Sequence, residues 1–369
     1  YKTSYIIVDS SIICSNKNTA FALCKGKTFM VRNCAFRNNT SDMYGGCVCS
    51  DKIDLIAVRN SVFILNDAVK GGGLYLGSEI YGPYEDEDLY LIKQNVSITY
   101  SNFTSNTFRE HGGGLYFDDL NNVCITYSNF TSNTGRGHGG GMHLSEIKFV
   151  FITCSYFTSN YGKYGGGLSS VYTDNTYMPY PHIINKYGRI IYGANDVIKV
   201  TITESIFTGN NASIGGVAYI ITKNYKYDSL VLIKSTWFVK NTASNLHGGA
   251  CYIYKITICL IINSSLENNF ALHTGGGICM YALYCSVIYN TMFTLNVATQ
   301  GGAIKMESGT GSIKIENTKF VNNSVMRGHH GDGGGGACYF PNITICLILS
   351  SSFEKNFAEN EGGAAAVYR

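Results

Sequence analysis

The sequence predicts an all-β protein, a single parallel β-helix of about eleven or twelve coils that spans residues 1–369. Three observations lead to this prediction: a motif that recurs about every 27 residues, an apolar alternation typical of strands, and glycine pairs at fixed positions after the motif. A period in the twenties with embedded strand patterns is typical of a stacked solenoid. The crossover rule for parallel strands predicts a right-handed coil.

Each copy of the motif has an apolar anchor residue, two variable residues and an asparagine, and a glycine pair follows after a short gap. The anchors are 27 residues apart in five of the ten intervals. The eleven anchors are Phe36, Phe63, Phe103, Phe130, Phe157, Phe207, Phe238, Leu266, Phe293, Phe320 and Phe353. The asparagines, which we predict to be structural corner residues, are Asn39, Asn66, Asn106, Asn133, Asn160, Asn210, Asn241, Asn269, Asn296, Asn323 and Asn356. Asparagine tolerates the left-handed conformation, and stacked amides can bond one another along the axis.

Strand periodicity identifies the solenoid as a β-helix. The residue five positions before each anchor is β-branched in all eleven copies, which suits the interior of a pleated sheet. A second alternation follows the glycines, as in Leu74-Tyr75-Leu76, and its apolar members should point inward. The tyrosines of this segment should form one outward column, made of Tyr75, Tyr116, Tyr219, Tyr252 and Tyr339. Two threonine columns flank the anchors, with Thr99, Thr126, Thr153 and Thr203 before them and Thr104, Thr131, Thr158 and Thr208 after them.

Two loop insertions interrupt the repeat, near residues 77–94 and 170–197. The first contains the acidic run Glu85-Asp86-Glu87-Asp88, which we interpret as a solvated loop, and the second is rich in tyrosine and offers a contact surface. The sequence stops within a strand pattern at residues 364–367. Because an uncovered solenoid end is prone to association, we expect further polypeptide or an end-to-end copy to cover it.

Composition argues against two classes of function, nucleic-acid binding and membrane spanning. Charged residues make up 14% of the chain and the net charge is +3, so a basic stripe for nucleic acid is not expected. No run of 18 apolar residues occurs, and we predict no transmembrane segment.

The motif pair resembles a known family. Phe293 to Asn296, followed by Gly301-Gly302-Ala303-Ile304, is similar to the paired repeat of the chlamydial polymorphic membrane proteins, which are surface adhesins, and similar repeats occur in protist surface proteins. The resemblance implies a β-helix at a cell surface. The chain departs from those bacterial proteins in its Tyr-, Asn- and Lys-rich composition and its thirteen cysteines.

Thirteen cysteines is an odd number, so at least one has no partner within the chain. Cys251 with Cys259, and Cys338 with Cys346, share one spacing in near-duplicate segments and should point inward around one corner. A disulfide within each pair and a set of buried thiols are both compatible with this pattern. Nine sequons are candidate glycosylation sites if the protein is secreted: Asn38, Asn39, Asn95, Asn102, Asn129, Asn211, Asn263, Asn322 and Asn342.

The sequence shows few patterns of residues suited to catalysis. Polysaccharide-active β-helices of the pectate-lyase type need several acidic residues on one face, and few of the 25 acidic residues stack. His111, His138 and His247 each precede a glycine pair, and we interpret them as corner residues rather than metal ligands. We predict no catalytic residue, metal or cofactor.

The sequence therefore predicts a non-enzymatic, extracellular or cell-surface β-solenoid, structural or adhesive, that presents stacked Tyr, Asn and Thr ladders. The expected partner is a protein or glycan at a cell surface, or further copies of the chain end to end. The alternative is a polysaccharide-active, pectate-lyase-like β-helix enzyme.

Overall fold

A computed structural model describes residues 5–77, 94–172, 183–184, 190–191, 198–222, 229–308, 311–326, 334–359 and 362–368. These residues form a parallel β-helix, as predicted. The coils contribute strands to four ladders, which we call the first, phenylalanine, short and post-glycine ladders in chain order. In the part of the chain that the structure describes, no helix is long and apolar enough to cross a membrane.

The first ladder precedes the anchors, and the post-glycine ladder follows the glycine pairs. Two long strands, Phe21–Arg32 and Val48–Arg59, run through both ladders and join them into one sheet of 22 strands. The other strands of the first ladder are Tyr5–Asp9, Asn95–Thr99, Asn122–Thr126, Phe149–Thr153, Ile198–Thr203, Ser229–Lys234, Ile258–Ile262, Cys285–Tyr289, Ser312–Glu316 and Ile345–Leu349. Those of the post-glycine ladder are Leu74–Leu76, Leu115–Asp118, Met142–Ser145, Leu168–Tyr172, Ala218–Thr222, Cys251–Tyr254, Ile278–Tyr281, Ile304–Glu307, Cys338–Pro341 and Ala365–Tyr368.

The phenylalanine ladder holds one three-residue strand from each of twelve coils, within the predicted number of coils. Its strands are Ile12–Cys14, Ala35–Arg37, Val62–Ile64, Asn102–Thr104, Asn129–Thr131, Tyr156–Thr158, Ile206–Thr208, Trp237–Val239, Ser265–Glu267, Met292–Thr294, Lys319–Val321 and Ser352–Glu354. The short ladder has nine strands: Asp67–Lys70, Thr107–His111, Thr134–Gly135, Tyr161–Tyr164, Asn211–Ile214, Thr242–Ala243, Phe270–Ala271, Val297–Ala298 and Ser324–Val325. A separate antiparallel pair, Ile183–Ile184 with Ile190–Ile191, lies within the second insertion.

The core is a set of stacked columns. Neighbouring anchor phenylalanines stack face to face with ring centroids 4.6–5.1 Å apart, which is the spacing of paired strands. The predicted inward residues of the post-glycine ladder, such as Leu115 and Phe117, are fully buried. The β-branched column before the anchors is also buried, except that Ile348 in the last coil is 36% exposed. Coverage of that end by more polypeptide or by another copy remains a prediction.

The corners use the left-handed backbone region in register. The first glycine of each pair has a positive φ, for example 69° at Gly112 and 65° at Gly139. A Cβ on the second glycine would collide with the next coil, since at Gly140 it would lie 2.3 Å from the carbonyl oxygen of Gly166. The first glycine is therefore required for its backbone conformation, and the second is required because the coils approach closely there.

Candidate binding surfaces

The predicted corner asparagines form a continuous buried ladder. At Asn133 the backbone N–H and the side-chain Nδ2 both donate to Oδ1 of Asn160 at 3.0 Å, and Nδ2 also donates to the carbonyl of Phe103 at 2.9 Å. The same contacts run through the stack from Asn39 to Asn356. Each interior amide is thus satisfied by its two neighbours, and the column holds the coils in register.

Two details of the asparagine prediction were wrong. The left-handed residue at this corner is the one before the asparagine, for example Ser132 with φ 54°. The ladder is also buried and therefore presents nothing to a partner. Exposed asparagines stack instead at the preceding corner, where Asn290 Nδ2 donates to Asn263 Oδ1 at 3.0 Å.

A second polar ladder was missed from the sequence. Two positions before most anchors a hydroxyl residue is buried; the Ser128 hydroxyl donates to the carbonyl of Thr126 at 2.9 Å and accepts the N–H of Ser101 at 3.2 Å. The signal was a Ser or Thr at this position in ten of the eleven motif copies, with Cys34 the exception. This ladder closes the corner between the first and phenylalanine ladders.

The predicted outward tyrosine column lies on the outer side of its sheet, but part of it is covered. Tyr75 is fully buried and Tyr116 is 3% exposed. The residues just before the glycines, such as Tyr44 and His111, pack against them; the Tyr44 and Tyr75 rings are 4.6 Å apart. The sharp glycine corner brings two outward columns together, so they form an aromatic layer instead of a free surface.

Three histidines meet in this layer. The ring centroids of His111, His138 and His143 are 5.0–5.2 Å from one another. Burial, together with its histidine neighbours, places the pKa of His143 well below its usual value, and burial and His111 lower the pKa of His138 to about 4. His138 and His143 are therefore uncharged at neutral pH. Within the described ranges no group of three or more His, Cys, Asp or Glu side chains is arranged to hold a metal ion.

A charged cluster lies in the same layer, five coils beyond His143. The Lys305 ammonium is nearly buried, donates to the Tyr281 hydroxyl at 2.7 Å and lies 3.2 Å from the Glu307 carboxylate. Burial opposes its charge, but the Tyr281 contact and the negative charge nearby outweigh burial and raise the pKa of Lys305. Next to it, burial raises the pKa of the Cys279 thiol to about 12.

Glu307 and Tyr281 also line a groove of about 910 Å³ at the corner between the post-glycine and first ladders. Its walls come from four successive coils, at residues 254–257, 281–284, 307–308 and 342–344. This volume lies in the range of ligand-binding pockets.

The outer side of the phenylalanine ladder is a second surface. The predicted threonine columns lie half-buried on either side of a corner, with Thr153 and Thr203 hydroxyls 3.0 Å apart. Beside them Tyr156 is 49% exposed and Trp237, the single tryptophan of the sequence, is 46% exposed. The exposed aromatic rings on this outer side are available for contact.

The four cysteines of the disulfide prediction are free thiols in the structure. Cys251, Cys259 and Cys338 are fully buried in inward columns, as expected, and Cys346 is half-buried in the last coil. Burial raises the pKa of Cys259 to about 12.

Eight of the nine sequon asparagines have exposed or half-buried side chains. The exception is Asn39, whose buried amide donates to Asn66 Oδ1 at 3.1 Å within the ladder. A glycan on Asn39 is incompatible with this fold, so that prediction was wrong, while glycosylation of the other eight sites stays a prediction.

The acidic run 85–88 and most tyrosines of the second insertion lie outside the described residues. No protein-family model, no curated protein and no solved structure matches this chain.

Proposed function

We propose that this protein is a non-enzymatic structural or adhesive rod of the extracellular space or cell surface. The observation that supports this proposal most directly is the pair of buried polar ladders, in which each interior amide bonds the adjacent coils and each hydroxyl donates within its own coil and accepts an N–H from a neighbouring one. Such ladders fix the register of all coils, and fixed register holds the outer side chains at repeated spacing.

The rod offers contact surfaces at its outer columns. Tyr156 and Trp237 are exposed on the outer side of the phenylalanine ladder beside half-buried threonines, and exposed aromatic side chains provide much contact area at low entropic cost. The partner is a protein or glycan at a cell surface, or further copies of the chain.

Location and adhesion are tested together. Antibody against the folded rod should label intact source cells without permeabilisation, glycopeptide mass spectrometry should find occupied sequons, and beads coated with the protein should adhere to target cells. Labelling only after permeabilisation, with bare sequons, would contradict an extracellular role.

A polysaccharide-active enzyme is the second candidate. Its supporting observation is the groove that holds the Glu307 carboxylate close to the Lys305 ammonium. Enzymes of this kind need converging acidic groups, and Glu307 is the one carboxylate among the described residues that line the groove. Release of reducing ends from a polysaccharide panel would favour the enzyme over the rod.

A further inference from the structure

The groove lies at a corner that breaks the regularity of the rod. Tyr281 and Cys285 are four positions apart, whereas their ladder partners Glu307 and Ser312 are five positions apart. The sequence between those partners is Ser-Gly-Thr-Gly, so the longer corner contains no apolar residue. Five corners in which the two strands are four positions apart each bury an apolar side chain, at Leu120, Ile147, Ile256, Leu283 and Ile343. Functional sites are expected where a regular fold departs locally from its own pattern, as this corner does in length and composition.

We propose that this groove binds a neutral oligosaccharide. The proposal deepens the adhesive function and rests on it, because it assigns that function a partner class and a site.

The aromatic side chains of the groove suit a sugar ring. Tyr254, Tyr281 and Tyr284 line its walls, and Tyr284 is 69% exposed. Flat phenol rings offer an apolar face for the C–H side of a pyranose and a hydroxyl for its polar rim. Three rings from two adjacent coils therefore provide stacking positions close together.

The polar groups of the groove favour an uncharged ligand. The Glu307 carboxylate is 38% exposed and accepts hydroxyl donors, whereas the Lys305 ammonium beside it is 8% exposed and already bound to Tyr281. An anionic sugar would therefore meet the carboxylate first. The Lys255 ammonium lies 5.2 Å from the Tyr254 ring centroid, where it contacts an aromatic face.

The backbone at this corner argues against a peptide that adds as a strand. The N–H groups of Lys255, Ala282 and Asn342 donate to carbonyls of the next coil at 2.8–3.0 Å. Recognition must therefore come from side chains, whereas strand addition needs free backbone groups. Four coils span three steps of about 4.8 Å, so the groove is about 14 Å long and accommodates a short oligosaccharide.

The test is an array of short neutral gluco-, manno-, galacto- and N-acetylglucosamine oligosaccharides, with uronic-acid oligomers of matched length. The folded chain should bind a neutral member, and Tyr284→Ala should weaken that binding about tenfold or more. Tyr284→Phe keeps the ring and should bind nearly as well as the unaltered chain. Tyr161→Ala is the matched control, since it removes a tyrosine that is 45% exposed from the short ladder and should leave binding unchanged.

Three results would overturn the proposal: no saccharide binding, binding to uronic-acid oligomers alone, or neutral binding that Tyr284→Ala leaves intact. Bead adhesion measured on the same variants separates this inference from the function beneath it. If adhesion persists without saccharide binding, the groove is not an oligosaccharide site but the proposal of an adhesive rod stands. If the protein binds saccharide through Tyr284 but is found only inside cells, the groove is an oligosaccharide site and the proposal of an extracellular rod fails.

Discussion

Replacing Asn133 by alanine tests whether the buried asparagine ladder holds the coils together. The side chain accepts two hydrogen bonds at Oδ1, from the backbone N–H and the Nδ2 of Asn106, each 3.0 Å long. It donates two more, to Asn160 and to the Phe103 carbonyl. Asn133→Ala removes all four contacts and leaves two buried donors of Asn106 without an acceptor.

The expected cost follows from those two donors. A buried polar group without a partner costs about 1–3 kcal/mol, so two of them cost about 2–6 kcal/mol. Asn122→Ala is the matched control: its amide donates to Asn95 at 2.6 Å on the half-buried outer side, where water can replace it. We expect the control to stay within about 0.5 kcal/mol of the unaltered chain.

Denaturant unfolding followed by circular dichroism gives the free-energy change, and hydrogen exchange with mass spectrometry locates it. In Asn133→Ala the amides of coils 103–111 and 130–138 should exchange faster than those near Asn296. Equal stability of the two variants, or unchanged exchange in those coils, would refute the conclusion that the ladder is dry and fully satisfied.

Three further predictions concern the histidines, the glycine corners and the thiols. Folding lowers the pKa of His138 to about 4, below its unfolded value of about 6.5, so the stability of the fold should fall as the pH drops from 6.5 to 4. Thermal melts of His138→Gln should show a smaller fall over the same pH range. An equal fall in the variant would contradict the conclusion that His138 is the group responsible. Gly140→Ala, whose Cβ would lie 2.3 Å from the Gly166 carbonyl oxygen, should lose about 3 kcal/mol or more. Gly209→Ala, with φ 62° and an ordinary contact of 3.6 Å from the new Cβ to the Ser159 hydroxyl oxygen, should lose about 1 kcal/mol, and similar losses in the two variants would argue against the clash. Cys259 should resist iodoacetamide in the native protein and react after unfolding, and a disulfide in non-reduced peptide maps would show that it is not a thiol.

The inward columns were predictable because a β-helix repeats the same requirement in every coil. A residue that faces the core must be apolar and fit the strand spacing, so the column that includes Ile98 and Ile125 is visible in the sequence. The amide ladder was predictable for the same reason, since a recurring Asn at one position needs a recurring partner. The left-handed residue before it was not, because that position varies between Ser, Lys, Leu, Asn and Gly.

The outer layers were harder to predict, because strand alternation tells which side a residue faces and says nothing of what packs over that side. Tyr75 faces outward by alternation and is buried by the column that precedes the glycines. His143 was missed because its column also carries Tyr116 and Ser169, so no repeated residue marked it. Its environment depends on the angle of the glycine corner.

This division between inner and outer residues explains where a rod of this kind acquires specificity. The backbone N–H and C=O groups of each interior coil are used by its neighbours, and inward substitutions disturb a stack of aromatic rings and amides. Exposed side chains of the outward columns are free of the packing constraint, and the corner between the post-glycine and first ladders differs in length between coils, so both tolerate sequence changes. The long corner after Glu307 has one residue more than the preceding corner, lacks the apolar residue that the preceding corner buries at Leu283, and lies beside the nearly buried Lys305 ammonium. A binding site placed there leaves the ladders on either side intact, because the Ser312 N–H still donates to the Tyr284 carbonyl at 3.0 Å across it.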